Sequence, residues 1–194
     1  RLVTSVAALA AAIVLTVAGP RAAQAEIRIG FMAELSGPQG PLGQDQYDAL
    51  MMVIERNGGK LGGQPVKVFR EDSQLKPPVA VQLADKFIDK EKVQIITGIT
   101  FSNIMMAVHK PITDKGVFLI GSNAGPAPIA GAQCSPYQFI VSWQNDNQAE
   151  VVGKYATDKG YKKVIGMAPN YQAGKDFVAG FKRFYKGEML DEIY

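Results

Sequence analysis

Hydrophobic and polar positions change rhythm repeatedly along this chain, and each change marks an element. Ile27-Arg28-Ile29-Gly30-Phe31 alternates in bulky apolar residues and predicts a strand, followed by a Gly/Pro loop from Ser36 to Gly43. From Gln44 to Asn57 the apolar residues Tyr47, Leu50, Met51 and Ile54 recur at helical spacing, and Gly58-Gly59 stop the helix. The pattern then repeats. Pro65 to Phe69 predicts a second strand. Val79 to Asp89 predicts a helix opened by Pro77-Pro78, with Val79, Leu83 and Phe87 on one face. Val93 to Thr97 is a third strand, Gly98 to Ser102 a loop, and Asn103 to Lys115 a helix that Pro111 should kink or shorten. Val117 to Ile120 is a fourth strand, and Gly121 to Gly131 is a loop rich in Gly, Ala and Pro.

Strand-then-helix units in this order predict an α/β fold with a parallel sheet flanked by helices. A short apolar run such as Val117-Phe118-Leu119-Ile120 suits a sheet buried on both faces. Tyr137, Phe139, Val141 and Trp143 alternate in an extended signature, read as a crossover into a second domain. There Asp146 is expected to cap a helix to Lys159, Lys163 to Met167 to form a strand, and Gly174 to Tyr185 a helix. The expected domains are thus residues 26–141 and 142–194. The second, with one strand and two helices, has an unpaired edge and too little core to stand alone, as expected of a fragment.

Residues 1–25 stand apart. A cationic Arg1, an alanine-rich apolar run from Val6 to Ala18, the breaker Gly19-Pro20 and the triplet Ala23-Gln24-Ala25 predict a signal peptide cleaved after Ala25. The run is short and weakly apolar for a membrane span of about 20 residues. The mature chain is therefore expected to be soluble and periplasmic, without membrane insertion. Cleavage removes Arg1 and Arg21 and leaves 19 basic against 18 acidic residues. That balance offers no electrostatic case for nucleic acid or an anionic membrane. Cys134 is the only cysteine, either a buried thiol or half of a disulfide.

In an open parallel sheet the ligand crevice lies beyond the carboxyl ends of the strands. Loops Leu35 to Gly43, Gly98 to Ser102, Gly121 to Gly131 and Pro169 to Gly174 fall there, all rich in Gly, Pro and small polar residues. Ser102, immediately before the third helix, can cap it or present its hydroxyl to an anion. Tyr171 can stack on a ligand, donate its hydroxyl or simply pack; Asn123 and Phe101 carry the same ambiguity.

Catalytic readings fare worse. Gly37-x-x-Gly40-x-x-Gly43 has its first glycines too far apart for a dinucleotide turn, and Glu71 and Asp72 come too late to serve it. No phosphate-cradling Gly-Lys-Ser/Thr loop occurs, and no cofactor is implied. His109, the only histidine, is expected to be a surface or half-buried helix residue, short of any metal cluster or Ser-His-Asp set.

The ordered set Ile29-Gly30, Leu35-Ser36-Gly37-Pro38, Leu42-Gly43, Ile54-Glu55-Arg56-Asn57-Gly58-Gly59, Gly62-Gly63-Gln64-Pro65-Val66, Asp72-Ser73-Gln74 and Ala84-Asp85-Lys86-Phe87-Ile88 resembles the N-terminal half of the Leu/Ile/Val-binding protein family. These are type I periplasmic substrate-binding proteins of branched-chain amino-acid ABC transporters. The resemblance implies a two-lobed α/β body, incomplete here, that closes on a small carboxylate and presents it to a membrane permease without catalysis. It places Ser102 at the carboxylate, with Thr100 and Phe101 in the same loop. Asn123, Ala124 and Gly125 match a loop holding the carboxylate and ammonium groups, and Leu42 falls near the ligand's tail. Gly125 stands where a threonine is usual. Asn170-Tyr171-Gln172-Ala173-Gly174-Lys175 resembles a subset that binds aromatic carboxylates, for which Phe101, Tyr171 and Trp143 suit a flat ring. Two alternatives stay open: a ligand-sensing domain serving a regulator on the same fold, and a secreted enzyme on a Rossmann-like sheet.

Overall fold

The computed structural model describes residues 26–194, so the signal peptide expected over 1–25 lies outside the described residues. The elements run β1 (Ile27–Ala33), α1 (Gly40–Arg56), β2 (Lys60–Leu61), β3 (Gln64–Asp72) and α2 (Pro77–Asp85), which continues as a π-helical turn over Lys86–Lys90. There follow β4 (Ile95–Gly98), α3 (Ser102–Thr113), β5 (Phe118–Gly121), α4 (Ala127–Ala130), β6 (Gln138–Ile140), α5 (Asn145–Asp158), β7 (Lys163–Met167), α6 (Gln172–Phe184) and β8 (Glu188–Ile193).

The first six strands form one sheet in the order β2-β3-β1-β4-β5-β6, and β7 pairs with β8 in a second. Pairing is parallel everywhere except for the small β2–β3 hairpin. The chain lays β3 on one side of β1 and β4 on the other, so the order reverses at the β1/β4 boundary. At such a reversal the loops leaving adjacent strands diverge and open a crevice at the carboxyl edge.

One face of the large sheet is packed throughout. Met32, Ile96 and Leu119 project from the strands into a fully buried layer with Ala84 and Phe87 of the second helical segment and Ile104, Val108 and Ile112 of α3. Each such aliphatic side chain contributes about 1.5–3 kcal/mol by leaving water. The other face is covered by α1 near its centre, where Phe31 meets Tyr47 edge-on at 5.2 Å. Toward β6 it is bare, and Phe118 stacks with Tyr137 and Phe139 while all three stay exposed. The expectation of a sheet buried on both faces is corrected for β5.

Other expectations shift as well. Helix α1 starts at Gly40 rather than Gln44, because Pro41 falls in the first turn, where a missing N–H costs nothing. Pro111 lies inside α3, which ends two residues later at Thr113. Asp146 is not the cap of α5. Gln144 occupies that position, and Asp146, in the first turn, accepts from Gln144 Nε2 at 2.7 Å and pairs with Arg183 at 3.0 Å. The second sheet has two strands, so β7 is not left unpaired along both edges. His109 is buried, correcting the surface reading: Nδ1 faces Gln138 Oε1 at 2.8 Å and Nε2 faces the Gln133 carbonyl at 2.7 Å, tying α3 to β6. Cys134 is free and exposed, which removes the buried-thiol reading. Among the described residues no helix is long and apolar enough to cross a membrane.

Candidate functional site

Three loops leave the carboxyl edge beside the reversal point, and their conformations follow from a few constraints. After β1, Leu35 is fixed by its N–H donating to Asp72 Oδ1 at 2.9 Å, and the same oxygen accepts from Gln74 N–H at 2.8 Å. Burial pushes Asp72 up, but hydrogen bonds from Leu35, the Ser36 side chain and Gln74, with the Arg70 charge, hold its carboxyl below the usual range. Asp72 adds its full stability above the unfolded carboxylate range of about 4, and the contribution is lost as pH falls through the lowered folded value. Asp72→Ala is expected to lower the melting temperature at pH 7, with the gap to wild type closing as pH falls below the ordinary carboxylate range of about 4. Thermal melts across that range measure it.

After β4 the chain turns sharply. Gly98 (φ 97°) lies where a Cβ would overlap the Met32 carbonyl oxygen, and Ile99 follows in the left-handed region at φ 61°. A β-branched residue is rarely found there, and the conformation costs about 1–3 kcal/mol. It is held because the Ile99 side chain is fully buried, its N–H donates to Met32 O at 2.6 Å and its carbonyl accepts from Ala124 N–H at 3.3 Å. The turn delivers Thr100, Phe101 and Ser102 to the rim.

Thr100 is buried; its hydroxyl oxygen accepts from Gln46 Nε2 at 3.0 Å and its carbonyl from Asn123 Nδ2 at 2.7 Å. Phe101 holds the N-cap position of α3 with extended backbone, so Ser102 is the first helical residue and does not cap, correcting that reading. Ser102 is 3% exposed, and its Oγ accepts from Asn145 Nδ2 at 3.0 Å, which leaves its own proton to donate elsewhere. The first-turn amides of α3 add donors that the helix cannot satisfy internally.

After β5, Ser122 Oγ donates to Gln46 Oε1 at 2.6 Å, and the Asn123 carbonyl accepts from Ser142 Oγ at 2.8 Å. Ala124 is buried, and Gly125 accepts from Asn145 N–H at 2.8 Å. A Cβ on Gly125 would overlap the Trp143 carbonyl oxygen, which gives a physical reason for glycine at this position. Tyr171, at the N-cap position of α6, turns its ring toward Phe101 at 6.2 Å between centroids, inclined by 58°. Burial raises its phenol pKa, so it is a neutral hydrogen-bond donor at physiological pH.

The structure thus gathers Thr100, Phe101, Ser102, Asn123, Ala124, Gly125 and Tyr171. Leu42 is on the first turn of α1, 49% exposed, and is linked to the group only through Gln46, which bonds both its carbonyl and Thr100. Trp143 abuts the group through its backbone at Gly125 and lines a hollow of about 280 Å³ with Gly125, Ile129 and Ile140. Beside Tyr171 a cavity of about 300 Å³ runs along Met167, Ala173 and Phe177. A further hollow of about 600 Å³ is elsewhere, between the β7–β8 pair and the α5–α6 face at Val152, Tyr155, Ile165 and Phe181. Three residues not anticipated from sequence knit the group together: Gln46, Asn145 and Asp176. Asp176 is 5% exposed; its Oδ2 accepts from Asn145 Nδ2 and Ala127 N–H, each at 3.0 Å, and its Oδ1 from Gln172 Nε2 at 2.8 Å.

Loops converging on a serine at a helix start, beside a facing aromatic pair at the carboxyl edge of a parallel sheet, have the form of a candidate small-ligand site on an α/β protein. The periplasmic binding protein family profile matches residues 26–194, and the chain belongs to that family. It is 28% identical over 190 residues to Leu/Ile/Val-binding protein homolog 6 of Brucella abortus (strain 2308), covering 96% of this chain and 48% of the relative. Among solved structures it resembles the solute-binding protein of an ABC transporter from R. palustris in complex with benzoate, with a TM-score of 0.80, 31% identity and coverage of 87% of this chain and 48% of that one. A second, from Rhodopseudomonas palustris BisB5 in complex with 3,4-dihydroxybenzoic acid, has a TM-score of 0.78 and 26% identity, covering 87% and 47%. The chain spans about half the length of the relatives it matches.

Proposed function

We propose that this chain is the ligand-capturing part of an exported solute-binding protein that takes an aromatic carboxylate and hands it to the permease of an ABC transporter. In this reading residues 1–25 direct export, residues 26–141 form the first lobe and residues 142–194 begin the second. The ligand carboxylate meets the Ser102 hydroxyl and the opening amides of α3, and its ring meets Phe101 and Tyr171.

The observation that carries the reading is the state of Ser102: buried, at a helix start, with its oxygen already accepting from Asn145, so that the hydroxyl proton is directed to an incoming acceptor. An aromatic acid is preferred here because Phe101 and Tyr171 face each other at the rim with ring centroids 6.2 Å apart, a pair suited to a flat ring. The relatives solved with benzoate and with 3,4-dihydroxybenzoic acid support the same choice.

Calorimetric titration of the full-length protein with benzoate, 3,4-dihydroxybenzoate and leucine tests this. Benzoates are expected to bind, and Ser102→Ala to weaken them by about ten-fold, as for the loss of one charge-assisted hydrogen bond, while leaving the fold intact. Equal affinity in wild type and mutant removes Ser102 from the site. Leucine binding with no benzoate binding overturns the ligand class.

A further inference from the structure

We infer that Asp176 and Asn145 form a latch that couples closure of the second lobe to the orientation of Ser102. The inference rests on Ser102 being the carboxylate-binding residue, and adds how that residue is set and how the lobes are held around it.

Asp176 and Asn145 belong to one rigid piece. Helices α5 and α6 pack at backbone distance through reciprocal glycines: a Cβ on Gly153 would overlap the Phe181 carbonyl, and one on Gly180 the Asp146 carbonyl. Asn145 opens α5, Asp176 sits in the second turn of α6, and the two are joined at 3.0 Å. From this piece two side-chain bonds reach the loops of the large sheet, beside the backbone bond from Asn145 N–H to the Gly125 carbonyl at 2.8 Å. Asn145 Nδ2 donates to Ser102 Oγ, and Asp176 Oδ2 accepts the Ala127 N–H that opens α4.

Both Asn145 amide protons are used, one on Ser102 and one on Asp176, which fixes the amide plane. An amide so held can only donate to Ser102, so the serine must turn its proton away from Asn145. Ser102, Asn145 and Asp176 are all nearly inaccessible to water, where a lost partner is not replaced by solvent. Separating the two lobes breaks the Ser102 and Ala127 bonds together, since both donors and acceptors on one side move as a unit. Asn145 and Asp176 are therefore positioning residues.

The test uses the full-length protein with Asp176→Ala, Asp176→Asn and wild type. The asparagine variant can keep its oxygen toward Ala127 and Asn145 while Gln172 rotates its own amide, so it should recover most of what alanine loses. In stopped-flow experiments with benzoate, Asp176→Ala is expected to raise the dissociation rate by about ten-fold or more with little change in association, and Asp176→Asn to restore it to within about three-fold. Hydrogen exchange at the Ala127 amide gives a readout that needs no ligand: protected in wild type and Asp176→Asn, faster in Asp176→Ala. A lowered melting temperature with an unchanged dissociation rate and unchanged Ala127 exchange would reduce Asp176 to a structural role and overturn the latch. If wild type binds no benzoate, the function proposed above fails while Ala127 exchange still decides the latch, with unchanged exchange in Asp176→Ala overturning it.

Discussion

Phe87→Ala is expected to destabilise the protein by about 3–5 kcal/mol, the range for deleting a fully buried aromatic ring. Phe87 has no exposure and sits on the π-helical turn that ends the second helical segment. Its ring lies against Gly30 so closely that a Cβ there would fall 2.7 Å from Cδ2. The ring is thus fitted to the one position of β1 lacking a side chain. At this chain length such a loss lowers the melting temperature on the order of 10 °C. Urea and thermal unfolding measure it. A cost below about 1 kcal/mol would mean that the turn collapses onto β1, contrary to the packing described.

Gly125→Ala is expected to reach both stability and binding. The added methyl overlaps the Trp143 carbonyl, so the segment from Trp143 to Asn145 must retreat, taking with it the Asn145 amide that bonds Gly125 and Ser102. Overpacking of this kind costs about 1–3 kcal/mol, and displacement of Asn145 should weaken benzoate binding by about ten-fold. An unchanged melting temperature and benzoate affinity in Gly125→Ala would show that the Gly125 contact yields freely.

Why parts of this architecture were legible, and others not, can be traced to particular residues. The parallel sheet showed itself because β1, β4 and β5 are short apolar runs ended by glycine or small residues, a local pattern. The start of α1 was obscured because Pro41 and Gly43 signal a loop unless their place in a first helical turn is known. Strand β8 was hidden by a register shift between Val164 and Ile165: Met189 pairs with Val164 and Asp191 with Ile165, so Leu190 interrupts the alternation a strand is read from. In the site, Ser102, Asn123 and Tyr171 stood at loop positions where ligand contacts concentrate. Asn145 and Asp176 did not, because their partners are 43 and 31 residues away, and no local pattern records a buried polar pair. One clue was present. Ala173, Asp176 and Gly180 share a helical face with small residues, and an acid on a closely packed face needs buried donors.

The placement of β1 in the middle of its sheet has a consequence for how the molecule is born. It is the first strand of the described residues, yet its two edges are closed by residues 64–72 and 95–98. Until about a hundred residues have emerged, its apolar side chains have no lasting shelter. Assembly is therefore governed by distant partners, with contacts of the kind that slow folding toward milliseconds or longer. In a nascent chain of this design β1 keeps an edge open to chaperones until residues 95–98 have emerged to close the second of the two.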